Sequence, residues 1–104
     1  MSDYVPDKWV IVETVTSEGT TRKVLASWYG SYLGADEWRL SSGITYTEDV
    51  EGAYIFHNES GSTYECILGR QGMSTYTTGK YNSWLKVLPK GATMRIVEEY
   101  NEER

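Results

Sequence analysis

A chain of 104 residues has room for one hydrophobic core, so a single domain over 1–104 is expected and a second domain is not. Four Trp, nine Tyr and one Phe supply large apolar area that can still turn a polar tip to water, which makes that core attainable. With 10 Lys plus Arg against 15 Asp plus Glu, the formal charge is -5, and the basic residues are scattered with only Arg22 and Lys23 adjacent, which argues against binding duplex nucleic acid.

Taken in chain order, residues 1–7 and 101–104 read as fraying ends. Residues 8–16 are rich in β-branched side chains, with Trp9, Ile11 and Val15 on one face and Val10 and Val12 on the other. This is a strand buried on both sides over its first half. After the turn at Ser17-Glu18-Gly19, residues 21–29 place Val24, Ala26 and Trp28 opposite Lys23, Leu25 and Ser27, which completes a hairpin. The stretch 30–36 breaks the alternation with Gly30 and Gly34 and reads as an irregular loop. Four short strands follow at 37–42, 44–47, 53–58 and 62–68, separated by Gly43, by Asp49-Val50-Glu51-Gly52 and by Glu59-Ser60-Gly61. From Met73 the period lengthens: Tyr76, Tyr81, Trp84, Leu85 and Leu88 fall at helical intervals ahead of Pro89, with Ser74 or Thr75 as cap and Gly79 as a weak point where the helix could begin late. A final strand over 93–100 alternates Met94 and Ile96 with Arg95 and Val97. The fold class is α+β: a small antiparallel sheet or partly open β-barrel of six to seven strands, with one C-terminal helix packed through Tyr81, Trp84, Leu85 and Leu88, then a last strand.

Ordinary catalysis lacks its side chains. There is one histidine, His57, and if Glu59-Ser60-Gly61 closes a hairpin it faces Thr63 or Tyr64, leaving Cys66 about 7 to 10 Å farther along. A Cys–His dyad is not expected, and one His with one Cys is no zinc ligand set. Glu48-Asp49-Val50-Glu51-Gly52 lacks the ligand spacing of a calcium loop, and no local pattern selects a carboxylate pair for glycoside chemistry. No cofactor motif is present, and no apolar stretch reaches membrane-spanning length. Cys66 has no partner for an internal disulfide and Met-Ser-Asp-Tyr-Val-Pro is unlike a secretory signal, so the cytoplasm is the expected location. Asn58-Glu59-Ser60 is then turn sequence rather than a glycosylation acceptor.

Rings and glycines concentrate in Ser27-Trp28-Tyr29-Gly30-Ser31-Tyr32-Leu33-Gly34, followed by Trp38 and Arg39. Aromatic side chains beside an arginine make protein hot spots, and the acids nearby suit a basic partner surface. Tyr29, Tyr32, Asp36, Glu37 and Arg39 are therefore the expected binding residues of a non-enzymatic protein-binding module. In an alternative reading, Trp28 and Trp38 stack a nucleotide or single-stranded nucleic acid while Arg39 or Arg70 meets a phosphate, Arg70 at the helix N-terminus. Without that role, the two tryptophans simply point into the core from consecutive strands.

Trp38-Arg39-Leu40-Ser41-Ser42-Gly43-Ile44, a strand pair, and then Ser60-Gly61-Ser62-Thr63-Tyr64-Glu65-Cys66 resemble a pattern of small β-rich proteins of tailed bacteriophages, over about a third of the chain. The resemblance implies a shared β meander and a phage origin, and no activity. On that footing the partner is a host protein occupied by an accessory or inhibitory domain in the host cytoplasm. Neither a monomer nor a homodimer paired through an edge strand is disfavoured by the charge pattern.

Overall fold

The computed structural model describes residues 3–29 and 37–97. Seven strands, β1 (Lys8–Thr16), β2 (Gly19–Trp28), β3 (Glu37–Leu40), β4 (Ile44–Val50), β5 (Ala53–Asn58), β6 (Thr63–Ile67) and β7 (Thr93–Val97), accompany one helix, α1 (Thr75–Leu85). They form two antiparallel sheets, ordered β3-β2-β1-β7 and β4-β5-β6. The expected α+β class with a helix before the last strand holds, and the sheets are open rather than closed into a barrel.

Alternation along β1 dictates three layers. Trp9 and Ile11, with Val24 and Ala26 of β2, meet Tyr54, Phe56, Tyr64 and Cys66 of the second sheet. Val10, Val12 and Leu25 point the other way, to Tyr81 and Trp84 of α1 and to Trp38, Leu40, Met94 and Ile96. Because β1 lies between β2 and β7 and is covered on both faces, its sequence reads as an apolar run rather than a half-polar one. Burial of each large side chain here contributes about 1.5–3 kcal/mol.

Ser74 caps α1 with a reciprocal box: its hydroxyl accepts from the Thr77 backbone N–H, and the Thr77 hydroxyl accepts from the Ser74 backbone N–H. The cap starts the helix ahead of Gly79, not after it. Thr77, Tyr81 and Trp84, spaced by four and three, form the inward stripe. Leu85 falls beside that stripe and is 39% exposed, and Leu88 lies past the helix end, so the packing expected of Leu85 is not made. No helix among the described residues is long and apolar enough to cross a membrane.

Past the sandwich core, Glu13 sits between Arg22 of β2 and Arg95 of β7, its register partners on either side. Their Nε atoms donate to its two carboxylate oxygens at 2.9 and 2.8 Å. The hydrogen bonds from Arg22 and then Arg95 hold the Glu13 carboxyl below the ordinary glutamate range, against the opposing effect of its burial.

Residues 3–7, expected to fray, are instead a strap across the side of the sandwich. The Tyr4 backbone N–H donates to the Thr63 carbonyl and its carbonyl accepts from the Glu65 N–H, so Tyr4 extends the second sheet beside Tyr64. Pro6 is fully buried, and the Asp7 N–H donates to the Ser27 carbonyl, delivering the chain into β1.

Candidate functional site

The strap, the end of β2 and the start of β3 enclose an open cleft of about 490 Å³. The strap contributes Asp3, Tyr4, Val5 and Asp7, β2 contributes Trp28 and then Tyr29, and β3 contributes Glu37, Trp38 and Arg39. Pairing of β2 with β3 sets Trp28 opposite Glu37, Ser27 opposite Trp38 and Ala26 opposite Arg39. Strand alternation therefore sends Trp28 and Arg39 to the sandwich side and Trp38 to the helix side, around one sheet edge.

Each wall is fixed by named contacts. The Trp28 indole Nε1 donates to the Val5 carbonyl at 3.1 Å, and the Tyr29 backbone N–H donates to Asp7 Oδ2 at 2.9 Å. Asp3 Oδ2 accepts from the Thr63 N–H at 2.9 Å, which anchors the far end of the strap. Tyr4 stacks on Tyr64 with ring centroids 4.7 Å apart and meets Trp28 at a tilt at 6.2 Å. Burial beneath this cover pushes the Tyr64 phenol up to about 12. The Arg39 guanidinium lies over the Tyr4 ring, 4.7 Å from its centroid. Trp38 contacts Trp84 of α1 at 5.6 Å, with the Lys80 ammonium 5.3 Å from its ring, so this wall is braced from behind.

Among the described residues, charge in the cleft is unbalanced: three lining carboxylates, Asp3, Asp7 and Glu37, stand against the one cation Arg39. Glu37 is exposed, and its carboxylate has no hydrogen-bond or ion-pair partner among the described residues. Tyr29 is 46% exposed, whereas Trp28 and Trp38 are half-buried, each combining a core face with a cleft face.

Of the side chains singled out from sequence, Trp28, Tyr29, Glu37, Trp38 and Arg39 come together here. Tyr32 and Asp36 lie outside the described residues. Arg70 does not join them: it is exposed on a single 3-10 turn, Leu68–Arg70, and the α1 N-terminus it was expected to serve is capped by Ser74 and Thr77. The strap residues were missed because a proline-containing segment ahead of the first strand carries no periodicity; the apolar run Tyr4-Val5-Pro6 was the available signal.

His57 pairs with Thr63, as the hairpin reading required, and points away from the core while Cys66 points into it, so the two do not meet. His57 Nε2 instead lies 2.6 Å from Glu48 Oε1, with Tyr46 at 5.2 Å between ring centroids. Asp49 and Val50, expected in the segment separating two strands, belong with Glu48 to β4, and the turn itself is Glu51-Gly52. Among the described residues no cluster of three or more His, Cys, Asp or Glu side chains has metal-binding geometry. No protein-family model, curated protein or solved structure matches the chain.

Proposed function

We propose that this chain is a small non-enzymatic module that binds another protein through the cleft between the strap and the β2–β3 edge. The observation that carries the reading is the convergence, among the described residues, of four aromatic rings and three carboxylates on one open concavity between the strap and the β2–β3 edge. Half-buried rings braced from behind, such as Trp28 and Trp38, lose little side-chain entropy when a partner covers them, which is how hot spots form. The chain's one thiol and one imidazole stand elsewhere: Cys66 is buried and His57 is engaged with Glu48 outside the cleft. Nucleotide binding, the alternative, needs a cation free for phosphate, and among the described residues the one cation lining the cleft is stacked on Tyr4 amid three carboxylates. The resemblance to phage proteins makes a host protein the natural partner, occupied in the host cytoplasm.

The test is affinity capture from bacterial lysate with the tagged full chain and with a folded Tyr29→Ala/Glu37→Ala double variant. The captured protein is repurified and titrated against both. One-to-one binding that weakens at least about tenfold in the double variant supports the reading. Equal affinity for both sinks it.

A further inference from the structure

We infer that the cleft recognises an arginine side chain presented by an exposed basic segment of the partner; the inference rests on the binding-module reading and names the chemistry of its contact. Three features point to a cation. Among the described residues, the lining carboxylates outnumber the lining cation, the Glu37 carboxylate is left without a partner, and Tyr4, Trp28, Tyr29 and Trp38 line the walls. Aromatic walls with carboxylates at the rim attract cations through the ring quadrupole and direct charge pairing together.

The protein itself shows which cation fits. Arg39 already lays a guanidinium on the Tyr4 ring at 4.7 Å, so the site accommodates a planar, stackable, weakly hydrated cation. A cleft of about 490 Å³ exceeds the volume of one side chain and holds a short run of extended chain around it. A guanidinium from the partner has Glu37 for a hydrogen bond and ion pair, with Asp3 and Asp7, whose Oδ2 atoms are engaged by Thr63 and Tyr29, adding negative charge and their Oδ1 atoms, and with Trp28 and Tyr29 as aromatic walls. Arg39 is then a competitor as well as a wall: it repels the incoming cation and occupies one ring face.

This sign reversal gives the decisive experiment. The probe is the peptide acetyl-Gly-Arg-Gly-Arg-Gly-amide, with a norleucine-for-arginine counterpart, titrated at low salt into the full chain while the tryptophan indole N–H resonances are followed by NMR. The Trp28 and Trp38 signals are expected to shift saturably with the arginine peptide, and the norleucine peptide to leave them in place. Glu37→Gln weakens the arginine peptide about threefold to fivefold, and Arg39→Gln tightens it about threefold, each within what one partly exposed charge contributes. Glu51→Gln, on the remote β4–β5 turn, changes nothing. The inference is overturned if Arg39→Gln weakens binding, which is the behaviour of an anion site, or if the norleucine peptide binds equally well. It is also overturned if ethylguanidinium alone binds as tightly as the peptide, because the ligand is then a free small molecule. A captured partner that is lost on Tyr29→Ala/Glu37→Ala, with no response to the arginine peptide, sinks this inference and leaves the binding-module reading standing.

Discussion

The indole Nε1 of Trp9 donates a 2.8 Å hydrogen bond to the carbonyl of Ile67, joining the first strand of one sheet to the last residue of β6 in the other. Trp9 is fully buried and its ring meets Tyr54 edge-on at 6.4 Å and Phe56 at 5.8 Å, so one side chain supplies both the apolar contact and the polar tie between the layers. Trp9→Phe retains an aromatic ring but loses the donor and part of the volume. It is expected to destabilise the fold by about 2 kcal/mol, read as a lower urea midpoint at unchanged slope.

Glu13 gives stability a pH dependence of known sign. Its two arginine partners hold its folded pKa below the ordinary value near 4.5, so the unfolded chain binds the proton more tightly. The contribution is complete above the ordinary glutamate range and is lost as pH falls through the lowered folded value. Glu13→Gln turns an amide N–H toward one guanidinium donor. Since Arg22 and Arg95 are 43% and 61% exposed, the expected cost at neutral pH is about 1 kcal/mol after solvent screening. Chemical denaturation of both proteins at neutral pH and below pH 4 checks this: the gap narrows on the acid side, and a gap that widens contradicts the assignment.

Gly79 was the weak point of the helical pattern, and the helix runs through it because the Ser74–Thr77 box nucleates the first turn ahead of it. A Cβ at Gly79 meets nothing within 4 Å, and its backbone is helical. Gly79→Ala is therefore expected to stabilise the protein by up to about 1 kcal/mol, seen as a higher melting temperature. An unchanged or lower melting temperature means that the glycine serves a contact not made within this chain.

Strand positions were legible because the chain punctuates them with turn chemistry. The β4–β5 hairpin closes on Glu51-Gly52 with Gly52 at φ +79°, and Gly19 at φ +129° follows the Ser17-Glu18 loop. The rings of the cleft were legible for a related reason: Trp28, Trp38 and Arg39 sit on consecutive paired strands, so adjacency along the chain becomes adjacency in space. Long-range pairings were not. Glu13 reads as a surface charge until β7 is placed beside it, since Arg95 lies 82 residues away, and the strap reads as a loose end until Asp3 finds Thr63 across 60 residues. Alternation within one strand carries no information about which strand lies next to it.

Cys66 tests the sandwich core from inside. Its side chain is fully buried among Trp9, Tyr54 and Phe56 of the same cluster, and this burial, with a smaller contribution from the charge of Glu65, pushes its thiol well above the ordinary range. Only the thiolate attacks a disulfide reagent, so both access and ionisation are withheld while the sheets stay together. In the native protein at neutral pH, dithionitrobenzoate is expected to react with Cys66 only through the small fraction of molecules whose core is open, and in urea at once. At reagent concentrations where the core recloses faster than the thiol reacts, labelling tracks the open fraction, so Trp9→Phe accelerates it in proportion to the lost stability, by about thirtyfold for ~2 kcal/mol. Fast labelling of the native wild type contradicts the packing of the second sheet over β1, whatever the cleft binds.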